Sequence, residues 1–419
     1  MSVQGAAGDR MKADWDTRYE WRAVTLLSVG FGLVGLDRFM IQPLFPVMMH
    51  DLGLSYQDLG FISGILALAW GVSAMGSGWL ADLFGHRQIL IPATILFSAL
   101  AGLTGLVTGL ASLLVMRAIM GVSEGAFTPA SIVAALQASH PKRHGRNLGI
   151  QQTMVALIGL GLAPILVTQL LRILPSWRWI FVLVSLPGFL AAYLMYRVIR
   201  NVDARQAAGH TQTHDAARHR WSDIFQYRNV PLNMFGMFCW LTVVTVIGAF
   251  LPNYLTDHLR LTLTQMGFVM SAIGFGGSAG NLVMPGLSDR IGRRPVLAIG
   301  VVVGVACLVG LARTGPHPLP LFLWVFFTMW SVFANVTLTV GPLTVESVPA
   351  RLMTTASGMV VGTGEVVGGA IAPAIGGFVA QHFGIAHIPY VAIVGMSLGI
   401  IVVLAVRETA PRGRAPSRA

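Results

Sequence analysis

Residues 78–87 read GWLADLFGHR, and residues 286–294 read GLSDRIGRR. Asp82 and Asp289, Gly85 and Gly292, and Arg87 and Arg294 are each 207 residues apart. A pattern that returns at one long fixed spacing is the mark of a duplicated unit. Each copy follows a long apolar run, so each reads as a tight turn at the end of a helix. Glycine permits the turn, the Asp suits a helix N-terminus, and the basic residue suits a layer of lipid headgroups.

Composition agrees with that placement. Of the 419 residues, 54% are hydrophobic and only 11% are charged. Soluble domains carry about 25% charged residues, so an ordinary cytosolic protein is excluded. The formal net charge of +11 raises the question of nucleic acid. There is no basic helix with interleaved aromatics and no zinc-ligand spacing, so no nucleic-acid partner is expected. Cys239 and Cys307 both lie in apolar segments, as small core residues do. The first residues, MSVQGAAGDRMKADWDTRYEWR, lack a short apolar core followed by a cleavage site, so no cleaved signal is expected.

A membrane-spanning helix needs about 20 mostly apolar residues, and such windows recur twelve times. They fall near 23–48, 58–80, 87–107, 109–138, 147–171, 177–198, 230–253, 263–285, 295–313, 319–343, 353–379 and 386–406. The sequence therefore predicts an all-α membrane protein of twelve transmembrane helices in two pseudo-symmetric six-helix halves, 23–198 and 230–406. Segment 1–22 precedes them, the polar stretch 199–229 links them, and 407–419 forms a tail. With both termini and the even-to-odd loops on one side, that side collects 22 of the 28 Lys and Arg residues. By the positive-inside rule, both termini are expected in the cytoplasm of a cell in whose inner membrane the chain sits.

The loop pattern G-x-L-a-D-x-x-G-x-R, present twice, resembles the signature of the major facilitator superfamily. The resemblance covers essentially the whole chain. It implies a latch role for Asp82, Arg87, Asp289 and Arg294 in gating. Two more stretches, LDR at 36–38 and RAIMGVSEGAFTPA at 117–130, resemble the anion:cation symporter branch. That resemblance implies that Arg38 and Arg117 bind a substrate carboxylate and that Asp37 and Glu124 take protons. The branch usually has a Tyr and a Gln before the second-span loop, where this chain has Trp70 and Ala74. A smaller or more aromatic carboxylate than a sugar acid is the expectation. The antiporter element G-P-x-x-G-G is missing from the fifth span, which favours symport.

The charges themselves support a site. Asp37 lies about 15 residues beyond Arg22, roughly 22 Å along a helix at 1.5 Å per residue, too deep to reach the surface. A charge at that depth costs at least about 2.5–3.5 kcal/mol. Neighbours on a helix point about 100° apart, so Asp37 and Arg38 each need partners elsewhere. Arg117 and Glu124 are two turns apart on one face. One shared cluster between the first and fourth spans follows, and a buried ion-pair network holding these spans together is the structural alternative. With both acids ionised the four groups sum to zero. Each proton added attracts an anion, so proton and anion binding should reinforce each other.

Glu365 is either a further proton site or a bond to a neighbouring helix. Gln151, Gln152, Asn253 and Asn335 could complete the cavity, with Gln152 and Asn335 taken as substrate contacts. No cofactor or metal is expected, and no nucleophile, metal or phosphate motif suggests an enzyme. The expected partners are a small organic anion, protons and the lipid bilayer, with the chain acting as a monomer. The alternatives are a proton-coupled drug or metabolite antiporter, which two buried arginines disfavour, and a non-transporting sensor of the same fold.

Overall fold

A computed structural model describes residues 16–140, 143–200, 221–349 and 352–409, with the backbone alone for 75–84, 221–222, 285 and 354. Segments 1–15 and 410–419, most of the expected linker, and the side chain of Asp82 lie outside the described residues. Among these residues, twelve helices are long and apolar enough to cross a membrane. We number them as spans: Thr17–Leu52, Tyr56–Ala74, His86–Thr104, Leu110–Ala138, His144–Ile173, Trp177–Val198, Asn229–His258, Leu263–Ile291, Arg293–Arg313, Pro318–Val345, Thr355–Phe383 and Ile385–Ala405. The helix of span two itself runs on to Phe84.

The duplication read from the loops extends into the helices. Gly85 and Gly292 adopt φ of 88° and 103°, a region open to glycine at little cost. Proline marks the equivalent spans. Pro43 in span one and Pro252 in span seven, and Pro164 in span five and Pro373 in span eleven, are each 209 residues apart. A proline leaves the carbonyl four residues earlier without its helical donor, and irregular backbone follows. Span one breaks at Met40, between helices Thr17–Phe39 and Ile41–Leu52. Span five carries a π-helical segment at Val155–Leu162, span seven one at Tyr254–His258 and span eleven one at Gly364–Ile371.

Close helix crossings use small residues, as is usual where lipid removes the hydrophobic drive for association. A Cβ on Gly121 or Gly125 of span four would lie 2.5 or 2.4 Å from a carbonyl of span two, Leu66 or Trp70. Exposed large apolar side chains crowd the outer spans, including Leu186 and Leu190 in span six, Val302 in span nine and Leu404 in span twelve. Such a continuous apolar exterior fits a bilayer, not water. The chain is a multi-pass membrane protein.

The two halves meet unevenly along spans two, five, eight and eleven. At the end holding the loops after spans one and seven, a Cβ on Gly60 would lie 2.5 Å from the Pro373 carbonyl. One on Gly274 would lie 2.0 Å from the Gly161 nitrogen. Toward the other end, Gly145, Gly149, Gly286, Gly358 and Gly362 of the same spans have nothing within 4 Å of that position. The halves are pressed together at one end and parted at the end from which both described chain ends emerge.

Candidate functional site

Span one breaks one residue after Phe39, and this places Arg38 in the last turn of its first helix. A cation there suits the negative end of the helix. The Arg38 guanidinium reaches across to the other half and donates from Nη2 to Glu365 Oε2 at 3.1 Å. Both side chains are 17% exposed, so the pair sits at a wall and not in the core. The rings of Phe39 and Trp70 flank the guanidinium, with centroids 5.5 and 5.4 Å from it, within cation–π range. Glu365 opens the π-helical segment of span eleven. A Cβ on Gly369 would lie 3.1 Å from Glu365 Oε2, so glycine leaves that carboxylate its room.

Behind this pair lie deeper charges. Arg117 is 1% exposed and donates from Nη1 to the backbone carbonyl of Asp37 at 3.1 Å. Its Nε and Nη2, and both carboxylate oxygens of Glu124, are buried without a hydrogen-bond partner among the described residues. Asp37 is 3% exposed and lies within electrostatic range of Glu124 and Arg117, while Glu124 feels both Arg38 and Arg117. Spans one and four thus share one charged cluster, as the sequence implied. Beyond the span-four charges, Arg38 has a direct hydrogen-bond partner that the sequence did not imply, Glu365 of span eleven. Of the two readings left for Glu365, the geometry supplies the bond to another helix, and that helix belongs to the other half.

The remaining candidates fall at other places. Gln152 is exposed, while Gln151 is buried and donates to Ser131 Oγ at 2.6 Å. Asn335 is buried and lies over Gly300 of span nine, where a Cβ would come within 2.3 Å of its Oδ1. Span nine carries none of the clustered charges. Asn253 belongs to the closed end, donating to Asp257 Oδ2 at 2.9 Å. Asp257 also accepts from the Tyr56 hydroxyl at 2.7 Å, across the halves. A cavity of about 790 Å³ lies at that end, lined by His50, Tyr56, Asp257 and Arg260 among others, and none of the clustered charges lines it.

The loop residues divide into two kinds of contact. Arg87 donates to the Tyr196 carbonyl at 2.5 Å, and Arg294 donates to the Val403 carbonyl at 2.8 Å. Tyr196 and Val403 are again 207 residues apart, so each arginine caps the last turn of the sixth span of its own half. Asp289 forms its ion pair with Arg293, which also donates to Glu346 at 2.9 Å. The sequence reading singled out Arg294, and the partner of Asp289 is its neighbour. The sequence also left Glu20 unremarked. It is 1% exposed and accepts from Arg143 at 3.0 Å and Asn147 at 2.9 Å. These partners are more than 100 residues away, and no local pattern marks them.

Two six-helix halves around a shared charged cluster, parted at one end, are the architecture of a membrane carrier. The chain belongs to the Major Facilitator Superfamily, whose family model matches residues 27–366 and also 234–419. It is similar to the "Probable 4-methylmuconolactone transporter" of Cupriavidus pinatubonensis, 25% identical over 374 residues, 85% of this chain and 83% of that one. It is also similar to the "Probable sulfoacetate transporter SauU" of Cupriavidus necator, 26% identical over 397 residues, 87% of this chain and 88% of the other. Its fold matches a bacterial homolog of the human lysosomal transporter Spinster, solved in an inward-facing and occupied conformation. That match has a TM-score of 0.75 at 15% identity and covers 93% of this chain and 96% of the other. The chain is a transporter, and not an enzyme.

Proposed function

We propose that this carrier takes up a small organic carboxylate together with protons, by alternating access, across the cell inner membrane. Both termini face the cytoplasm in this reading, so the parted end is the cytoplasmic one and the structure is inward-facing. Arg38 and Arg117 supply the positive field for the anion, and Asp37, Glu124 and Glu365 take the protons. Asp82, Arg87, Asp289 and Arg294 belong to the cytoplasmic gate. The observation that carries the reading is the single cluster of two arginines and three acids bridging the halves, with Arg38 at an accessible wall. Relatives named for sulfoacetate and 4-methylmuconolactone transport support the substrate class.

Charge balance gives the coupling. With Glu365 included and every group ionised, the cluster carries a net charge of minus one. One proton neutralises the empty site, and a second matches a bound monoanion. A low-dielectric cavity penalises any uncompensated charge. The empty form with one proton and the loaded form with two are therefore the forms that cross. Each cycle then carries one proton with one monoanion, and the two ligands raise each other's affinity.

One observation favours a second reading, proton-coupled efflux of a cation or other metabolite: the acids of the cluster outnumber its arginines. Uptake of radiolabelled benzoate, galactonate and sulfoacetate into proteoliposomes separates the two. The symport reading expects accumulation of at least one acid under an inward proton gradient, lost in Arg38→Ala and uncoupled from protons in Glu124→Gln. Transport unchanged in both variants would remove the site from the account, and export of a cation without uptake of any acid would favour efflux.

A further inference from the structure

We infer that Glu365 is a built-in stand-in for the substrate: its carboxylate holds Arg38 while the carrier is empty, and the incoming monocarboxylate takes its place. This rests on the reading of Arg38 as the anion site. Arg117 is closed off, with 1% of its surface exposed, whereas Arg38 is 17% exposed. Arg38 is therefore the arginine of the cluster that a solute can reach. It meets it already bound to a carboxylate, at 3.1 Å, supplied by the opposite half.

With the empty site already neutral on one proton, a second carboxylate on the same guanidinium would leave the cluster at minus one. One of the two must be neutralised. Glu365 is exposed to the same degree as Arg38, so water can reach it and bring it a proton. The exchange balances: the substrate carboxylate arrives ionised, Glu365 takes one proton, and the Arg38–Glu365 ion pair is replaced by an Arg38–substrate ion pair. One proton enters the site with one monoanion. The exchange also breaks a direct bond between the halves, because Arg38 and Glu365 belong to different halves.

The same geometry narrows the substrate. A ligand seated on Arg38 lies beside Phe39 and Trp70, whose rings flank the guanidinium. Flat apolar walls favour a carboxylate on an aromatic or compact apolar body over one on a polyol chain. A dianion needs a further proton to leave the site neutral, so a single carboxylate is the matched charge.

The test is calorimetric titration of benzoate into the full chain in nanodiscs at pH 6, 7 and 8, for the natural protein, Glu365→Gln and Arg38→Ala. Galactonate is titrated in parallel, and thermal melts show that each variant folds. The natural protein is expected to bind benzoate more weakly as pH rises. Removing the competitor in Glu365→Gln should tighten benzoate at pH 8 by about 5- to 150-fold, the usual span of a coupling between two ligands. If Glu365→Gln does not fold, Glu365→Asp, with a shorter arm that leaves Arg38, should show the same tightening. Natural-protein affinity in Glu365→Gln would overturn the stand-in, as would benzoate binding neither form, and galactonate binding more tightly than benzoate would overturn the narrowing of the substrate. Loss of benzoate binding in Arg38→Ala alongside an unchanged Glu365→Gln would overturn the stand-in alone. Undiminished binding in Arg38→Ala would overturn the anion site itself.

Discussion

Replacing Gly274 with alanine probes how the closed end is sealed. Span eight crosses span five so tightly that a Cβ on Gly274 would lie 2.0 Å from the Gly161 nitrogen and 2.3 Å from the Ala156 carbonyl oxygen. Ordinary carbon contacts begin near 3.5 Å, and both obstacles are backbone, which cannot rotate aside as a side chain does. The helices must part by more than an ångström, and overpacking of this kind costs typically about 1–3 kcal/mol. In the alternating-access reading proposed above, the contact exists only while this end is closed, so the cost falls on the present conformation and not on one open at that end. At 1.4 kcal/mol per factor of ten, the balance between the two should move about 5- to 140-fold toward opening. Spin labels at Arg172→Cys and Thr264→Cys, both exposed near the relevant ends, report the separation once Cys239 and Cys307 are replaced by Ala. Pulsed electron resonance should show a short-distance population giving way to a longer one in Gly274→Ala. An unchanged distance distribution and an unchanged melting temperature together would refute the reasoning.

Further expectations follow from single contacts. Tyr56→Phe removes the hydroxyl that donates to Asp257 across the halves and should weaken the closed end by about 1–2 kcal/mol, read by the same pair of labels. Trp240 is fully buried against Gly399 and donates to Thr339 at 3.1 Å, so Trp240→Ala should cost about 3–5 kcal/mol and lower the melting temperature without altering pH dependence. Arg87→Ala and Arg294→Ala remove equivalent caps from spans six and twelve and should each cost about 1–3 kcal/mol. A loss from one and none from the other, in parallel thermal melts, would contradict the equivalence of the two loops.

Much of this architecture is legible in the chain itself, for physical reasons. Apolar length is what a bilayer demands, so the twelve spans stand out with small shifts at their ends. The repeat of Asp, Gly and Arg at one spacing is visible because the glycines need a positive φ at both turns. Arg117 and Glu124 could be placed on one face by counting residues. What counting cannot reach is pairing between helices far apart in sequence. Arg38 and Glu365 are 327 residues apart, and no periodicity predicts that the second will cross to the first. Side-chain direction is similarly hidden: Gln151 and Gln152 are neighbours, yet one is buried on Ser131 and the other exposed. Trp70 is a departure from the branch pattern in the sequence, and only the geometry turns it into a wall beside Arg38.

The coupling of anion and proton movement is the central claim, and it has a direct measurement. The purified chain is placed in liposomes loaded with a pH-sensitive dye at equal pH inside and out, and benzoate is added outside as the test acid. Proton–anion symport predicts that the lumen acidifies as labelled benzoate enters, faster than in protein-free liposomes, and that Arg38→Ala abolishes the difference. Benzoate entry through the protein with no change in luminal pH, or with alkalinisation, would contradict it.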